Sequence, residues 1–168
     1  MRVPQASEVA VLDLPPLRLA ALPHRGPYPG IAGAFDRLLG WARESGLKRP
    51  DTRWFGRYLD DPAVVPAAEL RSEACMTLPP GAGIGAGAAL PLQLVELPAM
   101  RAAVLRFQGP YSELHRAYEV LLQDWLPGSG ERPEGLPVMD EALNDPRENP
   151  PEEWLTSVIL PLRRPSGG

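Results

Sequence analysis

Apolar residues fall into a few short runs and two helical stripes. Leu17 to Leu22 and Met100 to Phe107 are nearly continuous apolar segments of strand length with basic residues interposed. Each runs into a turn followed by an aromatic ring, Gly26-Pro27-Tyr28 and Gly109-Pro110-Tyr111, so each reads as a strand entering a turn. From Gly30 to Ser45 the residues Ile31, Phe35, Leu38, Leu39 and Ala42 share one face of a helix, with Gly46 placed to close it in a left-handed conformation. A second helix is expected from Ser112, a good N-cap; Glu113 suits the positive end of its dipole and Pro127-Gly128 stops it. Trp54 to Leu59 and Leu136 to Leu143 read as short strands, and so do Arg71 to Leu78 and Leu155 to Leu162, which alternate loosely and end near Pro79 and Pro161.

The chain repeats itself. A shift of 83 lays Leu14-Pro15 on Leu97-Pro98, Gly26-Pro27-Tyr28 on Gly109-Pro110-Tyr111, and the stripe Ile31, Ala34, Phe35, Leu38 on Leu114, Ala117, Tyr118, Leu121. One inserted residue makes the later shift 84, which sets Leu59, Asp61, Pro62 and Glu69 on Leu143, Asp145, Pro146 and Glu153. A duplication of this length makes the fold class α+β: two tandem βαββ units, antiparallel sheets with one main helix each, related by an approximate two-fold axis with a crevice between the halves. The units span residues 7–80 and 92–163 of one domain, 1–168, joined by a Gly/Pro connector at 81–91. The run Gly83 to Ala88 imitates a dinucleotide-binding loop, but Leu90-Pro91-Leu92 is no helix start, and that motif requires one.

Composition narrows the function classes. In 168 residues, Lys+Arg 17 against Asp+Glu 21 gives a net charge of -4, the wrong sign for direct binding to nucleic acid. A single Cys75 excludes an internal disulfide and fits a small buried hydrophobe; with only His24 and His115 no metal site is expected, His115 and Glu119 being a weak helical pair. No apolar run is long enough to span a membrane and the N-terminus lacks a signal-peptide core, so a cytoplasmic protein is expected.

The order and duplication of these segments resemble the GyrI-like small-molecule-binding family, related to the effector domains of AraC-type and MerR-type regulators. The resemblance is carried by Leu14-Pro15, Arg18 to Leu22, the two Gly-Pro-Tyr turns, Tyr58-Leu59-Asp60-Asp61-Pro62 running to Arg71, Leu143-Asn144-Asp145-Pro146 running to Glu153, and Ile159 to Leu162. It implies a ligand crevice for amphipathic, often cationic or aromatic compounds and no cofactor. It also implies that some members protect gyrase and that some hydrolyse strained cyclopropane-containing genotoxins. The acid it expects six residues before the proline of the second Asn-Asp-Pro is Asp140, in place of the usual glutamate, and the tyrosine expected two residues later is Ala142.

Period-two alternation independently sets Leu136, Val138, Asp140 and Ala142 on one face of a strand, and Trp54, Gly56 and Tyr58 on one face of its counterpart. A carboxylate among rings, with a small residue leaving room, is a receptor for an organic cation. The ligand-binding candidates are therefore Asp140, Trp54, Tyr58, Gly56, Ala142, Tyr111 and Tyr28. The alternative for Asp140 is a surface acid, and for Tyr28 and Tyr111 a ring packed over a helix start. Trp125 and Trp154 fall on apolar stripe positions and read as core, and Arg57 and Glu141 occupy equivalent positions with opposite charge. Three functions follow: a stand-alone binding module for a small organic ligand, a hydrolase using Asp140 or Glu141 as its catalytic carboxylate, or a module for a protein partner such as gyrase.

Overall fold

The computed structural model describes residues 3–85, 87–135 and 137–165. Each repeat begins with two strands, β1 (Ala10–Leu14) and β2 (Leu17–Arg25) in the first, β5 (Gln93–Leu97) and β6 (Met100–Gln108) in the second. A helix follows, α1 (Ile31–Glu44) or α2 (His115–Glu119), and then two more strands, β3 (Trp54–Tyr58) and β4 (Arg71–Thr77), or β7 (Val138–Ala142) and β8 (Leu155–Leu162). Contacts divide the chain into two compact units: one runs from Pro16 to Pro98, and the other joins the residues through Pro15 to those from Ala99 onward. The first unit has the strand order β3-β4-β2-β5, the second β1-β6-β8-β7, and every one of these neighbouring pairs is antiparallel. The architecture is α+β with one main helix per unit, as the periodicity predicts.

Two strands lie outside that prediction, β1 and β5, and both are exchanged between the repeats. Leu14 pairs with Met100 and Val11 with Ala103, while Leu97 pairs with Leu17 and Leu94 with Ala20. The links are the reason. A tight two-residue hairpin needs positive φ at its first central residue, where Pro15-Pro16 and Pro98-Ala99 both place a proline locked at about −65°, so each strand cannot fold back on its successor and extends to another partner. Each unit thus has four strands where three were expected, and contact boundaries fall at the prolines while repeat boundaries fall in the Gly/Pro segment.

Each helix covers its own sheet. Ile31, Ala34, Leu38 and Ala42 bury against Leu22, Ala74 and Met76, and Ala117 and Leu121 against Leu105, Phe107 and Val158. Gly46 takes φ 72°, the left-handed conformation expected after α1. Ser112 does not cap α2. It lies inside a 3-10 turn, Tyr111–Glu113, whose bonds from Glu113 N to Pro110 O and Leu114 N to Tyr111 O already hold donors that a cap would serve. The expected strand from Leu136 to Leu143 is shorter, Val138–Ala142, and Leu136 itself lies outside the described residues. The glycine-rich segment leads into β5, a strand, which is incompatible with a dinucleotide loop.

Candidate functional site

In the unit containing β7, pairing fixes which side chains share a face. Asp140 stands opposite Val158, and Ala142 opposite Thr156. Directly paired residues project to the same side of a sheet, and Val158 belongs to the core beneath α2, so Asp140 lies on the helix-covered face. It is only 8% exposed. A carboxylate in such a place requires polar partners, and Tyr118 of α2 supplies one by donating its hydroxyl to Asp140 Oδ2 at 2.9 Å.

Two rings complete the neighbourhood. Tyr111, at the entrance to α2, lies with its ring centroid 4.4 Å from that of Trp154, tilted 33°. The Trp154 indole N–H donates to Asn149 O at 2.9 Å and to Pro146 O at 3.2 Å, which anchors that platform to the loop before β8. Tyr111 remains 41% exposed. Its hydroxyl end is crowded, however: burial chiefly, then the Asp140 and Asp145 carboxylates, push the phenol up to about 12. Beside them, Thr156 is buried and its Oγ1 has no hydrogen-bond partner among the described residues. Half-buried Ala142, paired with Thr156, adds little bulk over that hydroxyl.

The other unit keeps the frame and changes the chemistry. Gly56 stands opposite Ala74 and Tyr58 opposite Ser72, the same ladder positions as Asp140 and Ala142. Trp54 and Tyr58 are half-buried and pack against the core beneath α1. Tyr28 meets Tyr58 edge-to-face at 4.9 Å, and its hydroxyl is engaged, donating to Asp60 O and accepting from Asp60 N. The Asp60 carboxylate accepts from Arg71 at 2.8 and 3.0 Å and, through the backbone N–H, at 2.9 Å. Arg71 thereby holds that carboxyl below its ordinary value, chiefly through its side-chain hydrogen bonds. This unit has rings and a neutralised acid.

The predicted residues therefore fall into two groups: Asp140, Ala142 and Tyr111 in one unit, Trp54, Gly56, Tyr58 and Tyr28 in the other. The two catalytic candidates separate as well. Glu141 is paired with Ser157 on the opposite face of β7 from Asp140, so the two carboxylates do not form one acid-base pair. Arg57 pairs with Glu73 across β3 and β4 in a buried ion pair. Three residues escaped the sequence reading. Tyr118 stands where the first repeat has Phe35, and that hydroxyl at a stripe position was the available signal. Trp154, expected in the core, is instead a half-buried platform because its indole N–H is held by the loop. Thr156 left no trace in the pattern.

Two concavities lie elsewhere, around the C-terminal end of α1. One, of about 560 Å³, is lined by Arg43, Lys48 and Arg49, and a smaller one by Trp41 and the glycines 83, 85 and 87; neither borders Asp140. Among the described residues, no group of three His, Cys, Asp or Glu side chains is arranged to hold a metal ion, and no helix is long and apolar enough to cross a membrane.

Comparison with known proteins agrees with this frame. Residues 7–163 match the model of the GyrI-like small-molecule-binding domain. A DNA gyrase inhibitor of Edwardsiella piscicida is 28% identical over 158 residues, covering 94% of this chain and 99% of that protein. The crystal structure of the EcmrR C-terminal domain superposes with a TM-score of 0.77 at 17% identity, covering 94% of this chain and 98% of that one. The structure of SAV2435 bound to tetraphenylphosphonium superposes with a TM-score of 0.65 at 14% identity, covering 93% and 94%. With the repeat, the antiparallel sheets and a family match over nearly its whole length, the chain belongs to the GyrI-like family of small-molecule-binding domains.

Proposed function

We propose that this domain is a receptor or sequestering module for amphipathic organic cations, with Asp140 as the counter-charge and Tyr111, Tyr118 and Trp154 as its polar and aromatic surround. The observation that carries the reading is a carboxylate 8% exposed beneath a helix, with a phenol oriented onto it at 2.9 Å. A charge kept so far from water favours a ligand that brings the opposite charge. At about 4 Å the attraction is worth up to ~4 kcal/mol before desolvation is subtracted, and a cation over an aromatic face gains about 0.5–2 kcal/mol per ring. Thr156 Oγ1 offers a further hydrogen bond to a polar group of the ligand. Trp54, Gly56, Tyr58 and Tyr28 are retained as ligand-contact candidates on their chemistry. SAV2435, whose structure holds tetraphenylphosphonium, makes a lipophilic cation the natural first probe.

Hydrolysis is the weaker reading. It would need Asp140 to activate water and a neighbouring phenol to donate a proton, and Tyr111, pushed up to about 12, is a poor donor near neutral pH. The test is calorimetric titration of the full chain with tetraphenylphosphonium, repeated on Asp140→Asn and on Asp60→Asn. At least tenfold weaker binding in D140N with D60N unchanged is expected; equal affinity in D140N and the unaltered chain would overturn the proposal. Incubation with a cyclopropane-containing alkylator separates binding from turnover, and a supercoiling assay separates both from a role on gyrase.

A further inference from the structure

The helix above Asp140 is irregular at one place. After His115–Glu119 it widens into a π-helical turn, Val120–Trp125, and closes through a 3-10 turn, Leu126–Gly128. Its counterpart α1 is an uninterrupted α-helix from Ile31 to Glu44.

Equivalent landmarks locate the cause. Upstream of the π turn the shift between repeats is 83: Ala34 matches Ala117, Phe35 matches Tyr118, and Leu38 matches Leu121. Downstream it is already 84. Trp41 and Trp125 are each half-buried against their unit's core. Ser45 Oγ and Ser129 Oγ each donate back into the last turn, Ser45 to Trp41 O at 2.7 Å and more weakly to Ala42 O at 3.4 Å, Ser129 to Leu126 O at 2.7 Å, and Gly46 and Gly130 take φ 72° and 74°. Leu38-Leu39-Gly40-Trp41 has become Leu121-Leu122-Gln123-Asp124-Trp125. The residue that makes the second repeat longer is therefore stored inside α2 as the π turn, a local insertion of the kind that marks functional sites. Its effect on packing is visible: Val120 is buried and Leu122 is 38% exposed, whereas buried Leu39 holds the latter place in α1.

The irregular helix is also the one that carries the phenol. The repeat with the π turn has Tyr118 and Asp140; the repeat without it has Phe35 and Gly56. We infer that the π turn at Val120–Trp125 is a positioning element that sets the Tyr118 hydroxyl on the Asp140 carboxylate and so tunes the ligand site. The inference rests on the proposed function for its ligand, and its geometry stands on the helix alone. The downstream end is pinned by Trp125, Ser129 and Gly130 at positions equivalent to those of α1. An added residue then displaces the upstream turn along the axis by up to about 1.5 Å, enough to make or break a hydrogen bond of 2.9 Å.

Deleting Gln123, or in a second variant Asp124, restores the leucine-to-tryptophan spacing of α1, and both residues are exposed. Tetraphenylphosphonium affinity is measured for the full chain, the deletion, Tyr118→Phe and the two combined. About tenfold weaker binding is expected from the deletion, with the combined variant no weaker than the deletion alone, because both remove one interaction. Affinity unchanged by the deletion, or effects that multiply, would overturn the inference. A readout without ligand keeps it separate from the proposed function: the Tyr118 ring carbon signal, assigned by its loss in Y118F, should respond to Asp140→Asn in the unaltered chain and not in the deletion. A response in both overturns it even if no cation binds at all. Failure of both shortened chains to fold would make the π turn a requirement of the fold and would equally overturn it.

Discussion

Gly56 and Asp140 stand at one place in the two repeats, opposite Ala74 and Val158 in otherwise matching ladders. The differences around them are correlated. Where the acid is present the helix supplies Tyr118 and Tyr111 rests on Trp154; where it is absent the helix offers Phe35 and Leu70 fills the place of Trp154. Where the first repeat has the Asp60 carboxylate engaged by Arg71, the second has Asn144 and Leu155, and the Asn144 side-chain oxygen still accepts the Leu155 backbone N–H at 2.9 Å. The backbone role of that turn is conserved in both halves while charge moves from one position to another. A duplicated scaffold can thus change the residue at one open position without altering its frame, since the ladder and the helix stripe do not depend on which residue occupies it.

The largest effect expected from that asymmetry comes from transplanting the acid. Gly56→Asp puts a carboxylate at a buried strand position of the unit whose helix carries Phe35 where the other has Tyr118, so that helix position has no hydroxyl to offer. Urea unfolding should show a loss on the order of 3 kcal/mol, the cost of an uncompensated buried charge. Adding Phe35→Tyr should recover about 1 kcal/mol, a typical net hydrogen bond. A neutral Gly56→Asp would mean that the two environments do not differ as described. Trp154→Ala is expected to cost less, about 2 kcal/mol, because the ring is half-buried. It should also bring the Tyr111 phenol down from about 12 toward its ordinary 10.0 by removing the burial that raises it, as read by spectrophotometric titration. A Tyr111 titration unmoved in W154A would show that the platform does not shape this site.

Much of this was legible in the chain. Periodicity located both helices and six of the strands because their apolar residues face a core, and the duplicated Gly-Pro-Tyr turns fixed the repeat. The missed strands, β1 and β5, are short and largely exposed on both faces, so burial wrote no alternation into them, and their exchange depends on stiff proline links that a local pattern does not interpret. Asp140 is singled out by the family resemblance and set on its face by the strand period, whereas Tyr118 requires knowing that helix and strand meet. Trp154 was misread because its burial is partial and its anchoring is through backbone carbonyls distant from the stripe. The inserted residue was noticed as a change of shift, but its place became visible only when Trp125, Ser129 and Gly130 could be matched by geometry.

The smallest expected effect concerns the carboxylate that the first repeat does carry. Arg71 holds Asp60 below its ordinary 3.8 through its side-chain bonds first. A group depressed in the folded state stabilises the fold above its unfolded value and loses that contribution as pH falls through the folded one. Asp60 should therefore add nothing to the pH dependence near neutrality and should contribute to acid destabilisation only below about pH 4. Melting temperatures of the unaltered chain and Asp60→Asn, compared from pH 7 to pH 2, should run parallel at the upper end and converge at the lower, since protonation removes the same pairing that the substitution removes. Because the Arg71 side chain is 58% exposed, the gap at pH 7 should also narrow in high salt. Curves that stay equally spaced down to pH 2 would show that the pairing with Arg71 is not what Asp60 contributes, and would leave only its carbonyl and N–H bonds to Tyr28 as its part in the turn.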